Sequence, residues 1–377
     1  MISDLDLKIM PKVTWQKRTV DAVLLGLVIA ILSSQFACHK SVDPSVPKNP
    51  RDYTWTADTF YTSYTLQTML TRVWGNSSKN VYLTGRTSTN ALMYRYDGSI
   101  WNPIILPDPQ PGARFEFSQM FGFSAGDLYA VGAEYYYNAS PPPNYLDSSL
   151  VLHFNGATWT QIALPRRELY LNKIWGNDPS NLWVSDGKSL WRFDGFTWVK
   201  DTLPIPTPSG SFFGIDGLTG NTSGDVYVTF LLLPVAAEAR ELYYFLHRKS
   251  IGWEVLDSAV VEPGNVQRKW GYYDLWTSPS GTMYSISNIV FRWQNGSWQK
   301  MLETSTDLAM IRGTSDQNIF VTAAFGTLLH FNGIDWFQFS ELQNGSPHYL
   351  GIWTDGQEAF VAGTLNGGSK TIVLHGK

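Results

Sequence analysis

A repeat of about 47 residues constrains the fold more than any other feature of this chain. The first half of each unit carries a triplet, usually aliphatic, aromatic and Gly. It occurs as Val73-Trp74-Gly75, Met120-Phe121-Gly122, Ile174-Trp175-Gly176, Ile215-Asp216-Gly217, Leu275-Trp276-Thr277, Ile311-Arg312-Gly313 and Ile352-Trp353-Thr354. A turn and a short strand with one aromatic residue follow each time, which gives the column Tyr82, Tyr129, Trp183, Tyr227, Tyr284, Phe320 and Phe360. The chain therefore consists of seven related units.

The second half of each unit ends in a turn followed by Trp. The turns lead from Asp97-Gly98 to Trp101, Asn155-Gly156 to Trp159, Asp194-Gly195 to Trp198, Gln294-Asn295 to Trp298 and Asn332-Gly333 to Trp336, and the fourth unit keeps only Trp253. Asp-Gly and Asn-Gly tolerate the positive φ angles of a type I′ turn. The pattern predicts a hairpin at the end of every unit.

The seventh unit stops where the others enter their last strand, and an N-terminal segment supplies a replacement. Trp55 follows Arg51 by the spacing that separates Asp97 from Trp101. Pairing this segment, residues 52–56, into the last unit would remove the open edges of the array. We therefore predict an all-β fold, a seven-bladed β-propeller of four-stranded antiparallel blades over residues 52–377, closed by the N-terminal strand.

The N-terminal residues have the composition of an export signal. A basic leader with Lys8, Lys12, Lys17 and Arg18 precedes the short apolar run Ala22–Leu32. The run is shorter than the roughly 20 residues of a membrane-spanning helix, which is the alternative reading. We predict a signal peptide over residues 1–37 and a polar tether over residues 38–51.

Two resemblances to known families follow from these residues. Gln35-Phe36-Ala37-Cys38 resembles a bacterial lipobox, although Gln35 replaces the usual Leu and Phe36 is bulkier than usual. This resemblance implies a lipid on Cys38 and anchoring in the cell envelope, at the outer membrane; an unmodified thiol is the alternative. The triplets resemble the Ile-Trp-Gly repeats of bacterial secreted β-propellers, and the turn at Asp97 is similar to a degenerate Asp-box. Both imply a fold and leave the function open.

Composition limits the choice of partner and cofactor. A net charge of −4 argues against nucleic acid as a partner. The single Cys excludes disulfides and cysteine metal clusters within one chain. We find no phosphate loop, zinc helix or nucleophile elbow in the sequence, and we predict no cofactor.

Histidine and arginine share one repeat position, six residues before the closing Trp or its equivalent. The position is occupied by Arg95, His153, Arg192, His247, Arg292, His330 and His375. A residue that recurs once per blade is set by the geometry of the repeat. We expect these side chains to donate hydrogen bonds to a neighbouring strand, not to bind metal.

Asp216 and Arg312 stand where most units have the aromatic residue of the triplet. The strand that carries the triplet is the innermost one in a propeller blade. We expect both side chains beside the central channel, where they are either functional or tolerated polar substitutions.

The long insertions predict a binding face. We call the face with the second-to-third turns and the blade links the link face, and the opposite one the short-turn face. The link face holds the insertions 132–149, 230–242 and 258–274 and the links 107–118, 164–173 and 203–214. Besides Asp216 and Arg312, the candidate binding residues are Tyr135, Tyr136, Tyr137, Tyr145, Arg166, Arg167, Phe212, Phe213, Trp270, Tyr272, Tyr273 and His348.

Two functions remain open from sequence. The first is a non-enzymatic scaffold of the cell envelope that binds a protein or a glycan through this face. The alternative is a glycan-active propeller hydrolase or lyase, which would bring two carboxyl groups together at the channel mouth, about 5 to 9.5 Å apart for a glycosidase. Loops that merely cover the channel are the structural alternative to a binding face.

Overall fold

The structure, a computed structural model, describes residues 48–63, 66–107, 109, 113–138, 144–165, 170–234, 240–250, 252–262, 269–343 and 347–377. Within these ranges the side chains of residues 136–138 and 144–147 are outside the description. The expected signal peptide, Cys38, most of the tether, Arg166 and Arg167 also lie outside the described residues.

The described residues form 28 strands in seven four-stranded antiparallel sheets, which confirms the propeller. The strands of the closing segment and blades one to three are β1 (Trp55–Phe60), β2 (Thr68–Ser77), β3 (Asn80–Thr87), β4 (Ala91–Tyr96), β5 (Trp101–Pro103), β6 (Ala113–Ser124), β7 (Asp127–Asn138), β8 (Asn144–Phe154), β9 (Trp159–Gln161), β10 (Lys173–Asp178), β11 (Asn181–Ser185), β12 (Leu190–Phe193) and β13 (Trp198–Asp201).

Blades four to seven continue in the same order. Their strands are β14 (Phe212–Gly220), β15 (Val226–Leu233), β16 (Glu241–Lys249), β17 (Gly252–Val261), β18 (Asp274–Thr277), β19 (Met283–Ile286), β20 (Ile289–Gln294), β21 (Ser297–Glu303), β22 (Leu308–Ser315), β23 (Asn318–Ala323), β24 (Leu328–Phe331), β25 (Trp336–Gln338), β26 (His348–Thr354), β27 (Ala359–Leu365) and β28 (Lys370–Gly376). Three short 3₁₀ turns accompany them. No helix in the described part of the chain is long and apolar enough to cross a membrane.

The N-terminal strand closes the ring, as predicted. β1 pairs with β28 from Trp55 opposite Gly376 to Phe60 opposite Thr371. The backbones of Thr54 and Lys377 also exchange hydrogen bonds of 2.9 and 3.2 Å. The strand starts later than the predicted residues 52–56, because Pro50–Asp52 form a 3₁₀ turn. Pro50 favours that turn, since its ring fixes φ and it has no N–H for a sheet.

Packing between blades explains why the triplet ends in Gly. A Cβ added to Gly75 would lie 2.9 Å from Cε2 of Trp353 in the preceding blade. A Cβ at Gly122 would lie 2.7 Å from Cζ2 of Trp74. Each of these Trp rings thus covers the Gly of the next blade, and the Trp-Gly repeat is a contact between neighbouring blades.

The Asp-Gly and Asn-Gly turns differ from the predicted type I′ turns at most positions. Among the described turns of this kind, positive φ at both residues occurs at Asn295-Gly296, with 53° and 74°, and at Asn366-Gly367 between β27 and β28, with 51° and 66°. At Asp97-Gly98 the glycine alone has positive φ, and the Asp97 carboxylate accepts hydrogen bonds from the backbone N–H groups of Ser99 and Ile100, both 2.9 Å. These bonds stabilise a longer turn and lower the pKa of the Asp97 carboxyl group. Asn155, Asp194 and Asn332 make the same bonds.

The two faces differ in the way that the sequence indicates. The turns of the short-turn face have two to five residues. On the link face, β7 continues nine residues beyond Tyr129, whereas β11 of blade three ends two residues beyond Trp183. The difference makes the β7–β8 hairpin longer by roughly 20 Å on that side. The expected loop 132–149 is therefore mostly strand: its backbone hydrogen bonds are made within the hairpin.

Candidate binding site in the channel and on the link face

The inner strands line a central cavity of about 320 Å³. Side chains two residues apart on a strand face the same side, so each inner strand contributes two positions. By the pairing register, the upper ring is Arg72, Gln119, Lys173, Gly217, Asp274, Met310 and Gly351. The aromatic ring below it is Trp74, Phe121, Trp175, Thr219, Trp276, Arg312 and Trp353. The upper ring lies nearer the link face, because the inner strands begin there.

The register corrects the expectation for Asp216. Asp216 lies in a bulge between Ile215 and Gly217, and Thr219 pairs with Tyr227 where other blades have the aromatic residue. The Ile215-Asp216-Gly217 segment imitates the triplet, but it lies three residues too early. The spacing to the aromatic column reveals this, because Trp74 precedes Tyr82 by eight residues, as Thr219 precedes Tyr227. Asp216 therefore does not replace the aromatic residue.

Arg312 lines the channel and is neutralised there. Its guanidinium Nη1 lies 2.5 Å from Oδ2 of Asp274 and 2.6 Å from the carbonyl oxygen of Ile311. The same Asp274 oxygen accepts the backbone N–H of Ile311 at 3.1 Å. The pair joins blades five and six.

Two further cations in the upper ring were missed by sequence reasoning. The Arg72 guanidinium donates through Nε to the carbonyl oxygen of Ser118 and through Nη1 to that of Leu350 at 3.2 Å. Lys173 begins β10, and among the described residues its ammonium group has no hydrogen bond or ion pair. Burial lowers the pKa of both groups. Both residues directly precede a triplet. The repeat position before the triplet is therefore the sequence signal that could have identified them as channel residues.

The His and Arg column stabilises the blades. His153 stacks on Tyr129 with ring centroids 4.4 Å apart, and its Nε2 lies 2.7 Å from Oδ1 of Asp127. His247 and His375 make the equivalent stack and carboxylate contact. The partners are on the adjacent strand, as expected. Among the residues that the structure describes, no group of three or more His, Cys, Asp or Glu side chains could hold a metal ion.

The predicted aromatic residues are spread around the link face. Tyr135 is half-buried, with its ring 6.4 Å from that of Tyr170. The rings of Tyr272 and Tyr273 are 4.4 Å apart, and the Tyr273 hydroxyl donates to Asp307 at 2.9 Å. His348 contacts Phe325 at 5.5 Å between rings. These contacts define three separate places and no single cluster.

Three more predicted residues have defined surroundings. Phe212 is 60% exposed, whereas Phe213 packs against Phe230 in the core of blade four. Tyr136, Tyr137 and Tyr145 are strand residues of the β7–β8 hairpin, and their side chains are outside the description.

Trp270 requires a correction, because it is only 1% exposed. Its ring packs among Tyr243 and Phe245 of blade four and Trp298 of blade five, in the core between the two blades. A core aromatic of this kind contributes to stability and offers no contact surface. The sequence analysis assigned it to an insertion of the link face, but its own ring packs into the core.

Exposed large apolar side chains are more numerous on the link face. There they are Tyr61, Leu66, Ile105, Phe212, Tyr273 and Phe325. On the short-turn face they are Ile100, Phe196 and Ile334, all in the Asp-Gly or Asn-Gly turns. The described link face therefore presents twice as many as the short-turn face. Four further exposed apolar residues lie on the outer strands and belong to neither count: Val199, Val255, Val260 and Phe337.

The carboxylates do not match a two-carboxylate hydrolase. Among the described residues that line the channel cavity, Asp274 is the one carboxylate, and Arg312 neutralises it. A glycosidase needs a second carboxyl group about 5 to 9.5 Å away. The lining described for the cavity contains no second carboxylate, and Asp216, outside that lining, acts electrostatically on Lys173 of the upper ring.

Comparisons with known proteins identify the fold. No family model and no curated protein matches the chain. Among solved structures, the chain is similar to YCF48 bound to D1 peptide, with a TM-score of 0.57, 16% identity and coverage of 88% of this chain and 98% of that one. It is also similar to the β-propeller domain of Cps50 (Swd1) from Myceliophteria thermophila, with a TM-score of 0.55, 10% identity and coverage of 84% and 99%. At these identities the likeness shows the seven-bladed propeller fold alone.

Proposed function

We propose that this chain is a non-enzymatic binding protein of the bacterial cell envelope, which holds a protein partner on its link face. The observation that carries the proposal is the asymmetry of the two faces. The link face has the long hairpin of blade two, the end of the channel nearer Arg72 and Lys173, and twice as many exposed large apolar side chains as the short-turn face. Exposed apolar groups on one side of a soluble domain are typical of interaction surfaces.

Protein is the partner class with independent support. A propeller of the same fold has been solved with a peptide bound. Tyr and Phe side chains such as Tyr273 and Phe212 supply rigid contact area at low entropic cost. A glycan ligand stays a sequence prediction without a structural observation in its favour.

The lipid anchor belongs to the same proposal. The export signal over residues 1–37, the lipid on Cys38 and the tether over 38–51 rest on the sequence alone. The described chain enters the propeller on the short-turn face, where Thr54 pairs with Lys377.

A paired set of variants tests the binding face. Phe212→Ala with Tyr273→Ala removes exposed aromatics from the link face, and Phe196→Ala with Ile334→Ala removes apolar groups of 91% and 88% exposure from the other. Capture from envelope extract should lose its partner at least tenfold in the first variant and keep it in the second, as expected for hot-spot residues worth about 1 to 4 kcal/mol each. Equal retention by both variants, at unchanged thermal stability, would reject this face.

A further inference from the structure

We propose that the upper ring of the channel binds one anionic group, a carboxylate or a phosphate, of a ligand that enters from the link face. Arg72 and Lys173 are the binding cations, and Gln119 between them supplies amide donors. This inference rests on the charges of the channel and is independent of the protein partner proposed above.

The channel has an excess of positive charge. Its described lining carries Arg72, Lys173 and Arg312 against the single carboxylate Asp274. The carboxylate is used by Arg312 at 2.5 Å. Asp274 acts electrostatically on both other cations, and Asp216 acts on Lys173. Among the described residues, however, neither Arg72 nor Lys173 makes a direct ion pair with a carboxylate.

Arg72 is held in place by neutral groups. Its two hydrogen bonds go to backbone carbonyl oxygens of Ser118 and Leu350, from the blades on either side. Carbonyl acceptors fix the orientation of the guanidinium and leave its charge uncompensated. Its Nη2 group makes no hydrogen bond to the described residues and stays available to a ligand. A guanidinium recognises carboxylate and phosphate well, because its donors lie in one plane.

Lys173 and Gln119 complete the arrangement on adjacent blades. The Lys173 backbone is fixed by its pairing with Ser185 at the start of β10. Gln119 accepts the backbone N–H of Ile174 at 3.1 Å through its oxygen, which leaves its amide N–H₂ group for the channel. Burial in the channel is the largest influence on the pKa of Lys173 and lowers it, whereas the nearby carboxylates of Asp274 and Asp216 act in the opposite direction. A bound anion would give both cations a direct ionic contact.

Calorimetric titration of the full chain in detergent, with acetate and inorganic phosphate as probes at constant ionic strength, tests the site. We expect at least one anion to bind saturably at one per chain. Lys173→Met should weaken binding about tenfold or more, the loss expected for a charged hydrogen bond. Lys173→Arg should restore binding to within about threefold, since it keeps the charge.

Lys200→Met is the matched control, because Lys200 is exposed on the outer strand β13. It should bind like the wild type, and thermal unfolding checks that every variant is folded. Binding of acetate alone identifies a carboxylate site, and binding of phosphate alone a phosphate site. Absence of saturable binding by both anions, or equal affinity of the Lys173→Met variant and the wild type, would overturn the proposal.

Discussion

At the scale of single residues, most repeated positions have a structural reason. The Trp of one blade covers the Gly of the next, and His153, His247 and His375 each stack on an aromatic residue of the strand beside them. Residues that break a repeat are then informative. Arg312 replaces a ring aromatic and pairs with Asp274, while Lys173 carries a charge into the channel without such a pair.

Gly75 tests the contact between blades. A Cβ there would lie 2.9 to 3.0 Å from three atoms of the Trp353 ring. We expect Gly75→Ala to reduce the free energy of unfolding by about 1 to 3 kcal/mol, because the ring has to move. Gly126→Ala is the control, since its Cβ would meet nothing closer than 3.4 Å. Equal free energies of unfolding for the two variants, measured in urea, would contradict the packing role.

His330 predicts a pH dependence of stability. Burial, and secondarily Arg51, lowers its pKa to about 4 from 6.5. Its Nε2 lies 3.0 Å from Oδ1 of Asn318, and its buried Nδ1 has no partner, so a second proton would be an unsatisfied donor.

The unfolded state therefore binds more protons than the folded state between pH 4 and 6.5. The contribution of His330 is fully present above pH 6.5 and is lost as the pH falls towards 4, by roughly 3 kcal/mol. We expect His330→Gln to remove this part of the slope in urea unfolding at several pH values. His348→Gln, on the exposed surface, should keep the wild-type slope. A slope that is the same in the wild type and His330→Gln would refute the assignment.

At the scale of strands and turns, sequence was sufficient where local chemistry repeats. The seven inner strands, the aromatic column and the closing strand follow from spacing alone. Sequence was insufficient to predict the structure where the same residue pattern is compatible with two different backbone conformations. Asp97-Gly98 forms a longer turn in which the Asp side chain bonds the backbone, and Ile215-Asp216-Gly217 places a bulge where a triplet was expected.

Long-range packing decided the remaining elements. The insertion before blade five brings Trp270 into the core, and the insertion of blade two becomes a hairpin. Neither outcome is encoded in the composition of these segments. The cations of the channel were missed for a related reason: Arg72 and Lys173 are distant in sequence and meet only when the ring closes.

The closing strand predicts a difference between two truncations. Removing residues 1–47 leaves the described propeller, and we expect its melting temperature to stay close to that of the full chain. Removing residues 1–60 deletes β1, uncovers the edge of β28 and takes the buried Tyr53 from the core. Its melting temperature should fall by about 5 °C or more. Identical melting curves for the two truncations would refute closure by β1.

At the scale of the whole molecule, the propeller offers two different ends. The chain enters at the short-turn face, and Arg72 and Lys173 lie in the ring of the channel that is nearer the link face. The proposed lipid on Cys38 is tested separately. Metabolic labelling with a fatty acid should mark the wild type and fail for Cys38→Ser, and labelling that survives the substitution would exclude the anchor.

The central claim is that the link face holds a protein partner, and site-specific photo-crosslinking tests it most directly. A benzophenone amino acid at position 212 or 273 samples the link face, and the same group at position 196 or 334 samples the short-turn face. All four side chains are exposed in the free protein, so incorporation should leave the fold intact. We predict that irradiation in cells gives one crosslinked protein from positions 212 and 273 and none from 196 and 334. Crosslinks from 196 and 334 alone, or no crosslink from any position in a folded protein, would contradict the assignment.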